Sequence, residues 1–268
     1  MTSAFIALLP PSETKRDGGS AAFSETPLLD GLAAWPGQEA VRAEMLRLLG
    51  ELAADEAAHA RALKLSAKQA AVELERNRAL ESAPRLPAIE RYTGVLYDAL
   101  DAAGLDARAR RRAGERFAIQ SALFGLIGAD DPIPAYRCSA STRLGGRAMA
   151  ARWARPGAAA LAGHEGPILD LRSKAYSALA PLPDRDDAVV AEVVTRMPGG
   201  ELRALNHFNK RGKGELARAI AEAGDDAIAE LDAARDAAEL AAALRRLGAD
   251  ASASGEREIL LVVDDPRG

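Results

Sequence analysis

Of the 35 basic residues in this chain only six are lysines, while 61 of its 268 positions are alanine. A sequence that writes Arg and Ala wherever a generic cation or small apolar residue will do makes its few Lys and Tyr informative. Arginine cannot replace lysine where a compact, strongly hydrated point charge is needed. Lys64 and Lys68 sit one helical turn apart in an Ala-rich stretch and read as a solvated face. The other four lysines, Lys15, Lys174, Lys210 and Lys213, fall in short segments unlike the Ala/Arg background, as do all four tyrosines, Tyr92, Tyr97, Tyr136 and Tyr176.

Each of these segments admits a chemical and a structural reading. Ser12, Thr14 and Lys15 follow an apolar run, at the place where open α/β sheets bind ligands, and their hydroxyls and ammonium suit an oxyanion. Ser12 equally suits a turn residue that caps its own backbone. Arg137, after Pro134 and Tyr136, suits a bidentate clamp on a carboxylate or phosphate, or a buried pair with Asp130 or Asp131. Lys210, Arg211 and Lys213 lie beside Gly212 and Gly214 in a segment read as leaving a strand and entering a helix. Backbone amides and a helix N-terminus would meet an anion there, unless the segment is a plain solvated turn. Tyr92, Tyr97 and Tyr176 suit base stacking or hydrogen-bond donation, or packing beneath a loop.

Other chemistries find no support. His59, His164, His207 and Cys138 are scattered without metal-ligand spacing, so no metal or cofactor is expected. KRGKGE around Gly212 lacks the earlier Gly and the Ser or Thr of a phosphate loop, and no GxSxG or GxGxxG occurs. A Cys138/His207 nucleophile pair is less expected than a buried, inert thiol.

The elements that must position these residues alternate. Strands are expected at Ala4–Leu9, Ile89–Tyr92, Phe117–Gly128 with a turn, Ile168–Leu171, Val189–Val194, Leu202–Phe208 and Ile259–Val263. Helices are expected within Gln38–Glu81, a second one starting at Ser66 with Gln69 in capping-box spacing, and at Val95–Ala102. Further helices are expected after Asp106, at Gly145–Leu161, at Glu215–Ala223 and at Asp226–Leu247. Short loops between several strands favour mixed or antiparallel pairing over a strict βαβ sheet. No repeat or linker divides residues 1–268, so one α+β domain is expected, a mixed β-sheet flanked by helices.

Composition sets the outer bounds. At 48% hydrophobic and 28% charged the chain is globular, and one cysteine fits a reducing compartment. Apolar runs fall far short of the ~20 residues that span a bilayer, and the first residues do not read as a signal peptide, so a cytoplasmic protein without a membrane partner is expected. A net charge of −4 argues against coating nucleic acid by bulk charge, although a local basic groove stays open.

Five segments carry a resemblance: PPSETKRDGG (10–19), RYTGVLYDAL (91–100), SALFGLIGADDPIPAYRCS (121–139), ILDLRSKAYSAL (168–179) and NHFNKRGKGELAR (206–218). In that order and at those separations the chain resembles the YaaA family of bacterial peroxide stress-response proteins. The block ending in Pro, Tyr and Arg is its most specific part. The SETK order of the first loop, Cys138 after the Tyr-Arg pair, and Lys174-Ala175 before Tyr176 depart from the commoner pattern. The resemblance implies a compact α+β domain with a basic cleft, binding of double-stranded DNA, and a role in limiting free iron and oxidative DNA damage. On that reading Lys15, Arg91, Tyr97, Arg137, Lys174, Lys210, Arg211, Lys213 and Arg218 contact phosphates. The alternative is an enzyme whose Ser12, Lys15, Arg137, Lys174 and Lys210 converge on a phosphate- or carboxylate-bearing small molecule, with Ser12, Lys15 and Lys174 nearest the chemistry. The rarity of Lys and Tyr leans toward the pocket, the resemblance toward DNA.

Overall fold

The computed structural model describes residues 4–21, 25–197, 199–203 and 206–264, with the side chains of residues 206–208 outside that description. Strand β1 (Ile6–Leu9) precedes three helices, α1 (Glu39–Ala53), α2 (Glu56–Ala62) and α3 (Ala67–Arg78). Then come β2 (Leu86–Pro87), α4 (Ala88–Arg91), α5 (Val95–Leu100), α6 (Ala107–Arg116) and the hairpin β3 (Phe117–Ser121) and β4 (Gly125–Gly128). After β5 (Pro132–Ile133), the ribbon β6 (Arg143–Leu144) and β7 (Arg147–Ala148) leads into α7 (Ala150–Ala162). The chain continues through β8 (Ile168–Asp170), α8 (Lys174–Ser177), β9 (Ala188–Arg196), β10 (Leu202–Arg203) and α9 (Asn206–Glu222). It closes with α10 (Asp225–Ala233), α11 (Ala237–Arg246), β11 (Asp250–Gly255) and β12 (Glu258–Asp264).

One mixed sheet of order β11-β12-β9-β8-β1-β3-β4 organises the molecule, with β10 paired to β9. Its middle is parallel from β12 to β3, and antiparallel strands flank it. The sheet is mixed, as the short loops between strands suggest, and the hairpins β3–β4, β9–β10 and β11–β12 supply its antiparallel pairs. Strands β1, β3, β4 and β8 are buried at every position, as strands covered by helices on both faces must be. An apolar core containing Phe5, Trp153, Leu240 and Leu261 ties the sheet to its helices.

Several sequence expectations match. Gln69 Oε1 accepts from the Ser66 backbone N–H at 3.2 Å and from its hydroxyl at 2.9 Å, and Asp106 caps α6 by accepting from the Ala109 N–H at 2.8 Å. Others are corrected. Ile89–Tyr92 is a helical turn, because Ala88 and Ile89 hydrogen-bond to Asp131 and Ala129 before the chain bends. The 145–161 helix starts only at Ala150, since Gly145 and Gly146, at φ +52° and +75°, turn the ribbon before it. Residues 226–247 form two helices, because Asp236 breaks away as an N-cap that accepts from the Glu239 N–H at 2.8 Å. The strand read at 202–208 ends at Arg203, and the helix read from Glu215 already begins at Asn206. Its glycines are packing positions: a Cβ on Gly214 would lie 2.1 Å from the Leu96 carbonyl oxygen, and one on Gly212 would lie 2.4 Å from Val263. Among the described residues Gly212 and Gly214 thus lie within a helix and not in a strand-to-helix turn.

Candidate functional site

The carboxyl ends of the parallel strands β1, β3 and β8 lie side by side, as Leu8 pairs with both Ala118 and Asp170. The loop after β1, the turn after β3 and the segment after β8 therefore share one edge of the sheet, where such sheets bind ligands. The β1 loop is tied to Arg91–Thr93: Arg16 N–H donates to the Arg91 carbonyl at 2.9 Å and Thr93 N–H to the Thr14 carbonyl at 3.2 Å. Gly94, at φ +97°, leaves room for the Ser12 and Thr14 hydroxyls, which would lie 3.5 and 3.4 Å from a Cβ.

Lys15 is the centre of this edge. Its side chain is buried, and Nζ donates to the Ser12 carbonyl at 3.0 Å and to the Glu13 carbonyl at 3.4 Å. Nζ also sits over two aromatic faces, 4.0 Å from the Tyr136 ring centroid and 5.2 Å from that of Tyr92. Burial pulls its pKa down to about 7; Glu73 favours the charged form, while Arg137 and Arg76 oppose it. An amine in this state is available as a base or nucleophile near neutral pH.

Three hydroxyls run beneath it. Ser121 Oγ lies 2.7 Å from the Tyr136 hydroxyl, which lies 2.8 Å from that of Tyr92. Ser121 Oγ accepts from the Leu123 and Phe124 N–H groups at 3.1 and 3.0 Å, filling both lone pairs, so its own proton goes to Tyr136. One more proton joins Tyr136 to Tyr92. One phenolic proton of that pair is left without an acceptor among the described residues. Tyr97 stacks on Tyr92 with ring centroids 5.3 Å apart and donates to the Pro10 carbonyl at 2.9 Å. Burial pushes all four phenols, Tyr176 included, above the usual tyrosine range, and each feels its neighbours. Tyr92, Tyr97 and Tyr136 thus form one contact cluster, and Tyr176 lies near enough to influence them electrostatically.

Arg137 borders the cluster with an under-used guanidinium. Arg42 and Arg91, both fully buried, each engage four backbone carbonyls and serve as struts. The Arg91 guanidinium is committed to the carbonyls of Ile133, Arg16, Gly18 and Pro84. Among the described residues the Arg137 side chain, 12% exposed, pairs with Glu13 alone, itself 55% exposed. Neither Asp130 nor Asp131 pairs with it; Asp130 pairs with Arg110, and Asp131 accepts from the Gly128 N–H. Its backbone is fixed by Asn77, which accepts from the Arg137 N–H at 2.8 Å and donates to the Arg137 carbonyl at 2.9 Å. That donor assignment makes His59 Nε2, 2.8 Å from Asn77 Nδ2, an acceptor, so burial keeps His59 neutral with its proton on Nδ1. Glu73 is buried beside Arg76, and its Oε2 has no partner among the described residues. Burial lifts the Cys138 thiol to about 12, which makes it inert, and the His207 side chain lies outside the described residues.

The remaining expected residues fall at different distances from this centre. Ser12 Oγ lies 3.1 Å from the Thr14 hydroxyl and accepts from the Thr14 N–H at 3.3 Å, the local turn contact. Asp170, the last residue of β8, and Arg172 form a fully buried pair, joined by Ser177 and Gln120. Lys213 is buried against it, donating to the Arg172 carbonyl at 3.4 Å, and burial lowers its pKa while Asp170 opposes. Lys174 and Lys210 are exposed. Arg211 pairs with Glu215, and Arg218 with Asp101 and Glu222. Sequence reading did not single out Glu13, His59, Glu73, Asn77 or Ser121 for the site; Asn77 meets Arg137 and Glu13 meets the same guanidinium across long stretches of chain. Among the described residues no group of three or more His, Cys, Asp or Glu is placed to hold a metal, and no helix is long and apolar enough to cross a membrane.

Comparison with known proteins agrees with the segments singled out. The family model described as peroxide stress protein YaaA matches residues 5–242. A UPF0246 protein of Streptomyces coelicolor is 39% identical over 259 residues, 94% of this chain and 95% of that relative. A UPF0246 protein of Corynebacterium glutamicum is 43% identical over 221 residues, 81% of this chain and 84% of the relative. One from Cereibacter sphaeroides is 30% identical over 152 residues, 51% of this chain and 56% of the relative. With nearly the whole chain matched, and with the Tyr-Arg block, the SETK loop and the Y-x-G element meeting at one sheet edge, the protein belongs to the YaaA family of peroxide stress proteins.

Proposed function

We propose that this member of the family carries a small-molecule site at the carboxyl edge of its sheet, built to bind a phosphate- or carboxylate-bearing compound and to act on it. The observation that carries the reading is Lys15: a buried amine with a near-neutral pKa, between two tyrosine rings and beside a guanidinium with donors to spare. Arg137 holds the anion, Lys15 moves a proton or attacks, and the Ser121–Tyr136–Tyr92 relay presents a proton to developing negative charge. Ser12, in the same β1 loop, and the exposed Lys174, just after β8, add a hydroxyl and a positive charge to this edge of the sheet. The test is thermal stabilisation by a panel of anionic metabolites, compared among the wild type, Arg137→Gln and Lys15→Arg. A compound that stabilises the wild type and neither variant supports the site. A panel without effect sinks it.

A second reading is supported by Lys174 and Lys210, which are exposed without a carboxylate partner among the described residues and flank the buried Lys213–Arg172 contact. On it the protein binds double-stranded DNA in the cytoplasm and helps limit free iron and DNA damage. Arg91 and Lys213 are too buried to serve, so Lys174 and Lys210 would carry the phosphate contacts with help from residues paired to carboxylates. Duplex binding across a salt series decides it: Lys174→Ala plus Lys210→Ala is expected to flatten the slope by about 2. An unchanged slope removes both lysines from any DNA contact.

A further inference from the structure

Arg137 is a fixed guanidinium with an exchangeable partner. Asn77 clamps its backbone from both sides, whereas its side chain meets one carboxylate, Glu13, on the mostly exposed tip of the β1 loop. The carbonyls of Ser12 and Glu13 in that same loop cover Lys15 Nζ. An anion that takes Glu13's place on Arg137 therefore loosens the two carbonyls that close off the amine. The rings that face Nζ belong to the Tyr92–Tyr136 pair, which keeps one phenolic proton without an acceptor, and Glu73, whose charge Nζ feels, has an Oε2 without a partner, both among the described residues. An amine held among aromatic rings, a hydrogen-bond donor and a proton-accepting carboxylate are the groups that turn a carbonyl compound into an imine.

Building on the small-molecule reading above, we infer that the substrate carries both an anionic group and an aldehyde or ketone, that its anion displaces Glu13 from Arg137, and that Lys15 forms an imine with its carbonyl carbon. The Nζ lone pair bonds to that carbon, and the C=O π pair moves onto oxygen, which is protonated from the Tyr92–Tyr136 pair. The nitrogen of the resulting carbinolamine passes a proton to Glu73, which delivers it to the departing hydroxyl, and its second proton returns to the phenolate. The two amine protons and the carbonyl oxygen leave as water, C=N replaces C=O, and no oxidant or reductant takes part. Glu13 is thus a placeholder for the ligand's own carboxylate or phosphate.

The test incubates the full chain with pyruvate or with glycolaldehyde phosphate in the presence of cyanoborohydride and maps adducts by peptide mass spectrometry. Expected are a reduced adduct at Lys15 in the wild type, several-fold more of it in Glu13→Gln, and none at position 15 in Lys15→Arg. Labelling confined to Lys64, Lys68, Lys174 and Lys210 overturns the inference. So does a Glu13→Gln protein labelled no faster than the wild type, a gain-of-reaction arm that stands even where Lys15→Arg fails to fold. Melting temperatures with inorganic phosphate and pyruvate separate the two levels. Stabilisation that Arg137→Gln abolishes, without a Lys15 adduct, overturns the imine and keeps the anion site. Neither stabilisation nor adduct overturns both.

Discussion

The two lysine-bearing segments, Ser12–Lys15 after β1 and Lys210–Gly214 in α9, present similar residue types and do different things. Both offer lysines beside turn-forming or small residues. In α9 the glycines let the helix backbone approach α5 and β12, Lys213 turns inward onto the Arg172 carbonyl, and Arg211 is neutralised by Glu215. After β1 the loop holds a single lysine whose environment is aromatic and whose charged neighbours oppose one another, Glu73 against Arg137 and Arg76. The difference is one of leftover capacity. The helix leaves one solvated ammonium, Lys210, near its glycines, whereas the loop edge gathers a phenolic proton, most of a guanidinium and one carboxylate oxygen without partners among the described residues around a buried amine. A chemical site is recognised by such unsatisfied groups, and a charge count alone does not reveal it.

The largest expected effect strikes the packing side of that comparison. In Gly214→Ala the new Cβ meets the Leu96 carbonyl oxygen at 2.1 Å, a backbone atom that cannot swing aside. Separating α9 from α5 should cost about 3 kcal/mol or more, at the top of the range for overpacked cores. Urea denaturation measures it; a loss below about 1 kcal/mol would mean that the glycine serves something other than helix contact.

Next comes the pH dependence that Lys15 imposes. Its folded pKa of about 7 lies below the 10.5 of the unfolded chain, so between those values the unfolded state binds more protons and stability rises with pH. The cost of burying the ammonium is complete below pH 7 and disappears as pH climbs toward 10.5. The groups facing Nζ are Glu73, Arg76, Arg137, Cys138, Tyr92 and Tyr136, so the informative quantity is the wild type minus Lys15→Met. That difference should shift in the wild type's favour by roughly 3 kcal/mol from pH 7 to pH 10, at up to about 1.4 kcal/mol per pH unit. Parallel stability curves for the two proteins would show that Lys15 titrates normally.

Tyr136→Phe should have an intermediate effect. It removes the middle hydroxyl, leaving Ser121 Oγ and the Tyr92 phenol without their side-chain partner in a buried setting. A loss of about 1–3 kcal/mol is expected. Tyr97→Phe removes one partly buried bond to the Pro10 carbonyl and should cost about 1 kcal/mol. Equal losses in chemical denaturation would mean that the three hydroxyls do not act as a connected relay.

Much of the fold was legible because apolar runs such as Ala4–Leu9 and Phe117–Gly128 announce buried strands whatever surrounds them. Asp250–Gly255 was not: DASASG has almost no strand character and is held in place by β12 through the ladder. The start of α9 was hidden because Gly212 and Gly214 read as turn residues until the close approach of Leu96 and Val263 is seen. Within the site, the scarcity of lysine and tyrosine pointed to Lys15, Tyr92, Tyr97, Tyr136 and Tyr176. Of the other lysines it singled out, Lys210 is exposed and Lys213 is buried, both on α9. Partners such as Asn77 for Arg137 or Glu13 for the same guanidinium lie 60 and 124 residues away in the chain, and only the tertiary fold joins them.

The smallest expected effect falls on Lys210. It is exposed, has no carboxylate partner among the described residues, and lies one turn before the buried Lys213 on α9. Lys210→Ala should therefore leave stability within about 0.5 kcal/mol of the wild type, and alanine's better helix propensity offsets the lost side chain. Because folding is untouched, any change in the salt dependence of duplex DNA binding in this variant reports a lost phosphate contact alone, expected as a slope flatter by about 1. The same variant should leave the wild-type thermal response to anionic metabolites intact. If Lys210→Ala instead erased that response, the α9 segment would share the ligand site with the β1 loop, and the contrast between the two segments would fail.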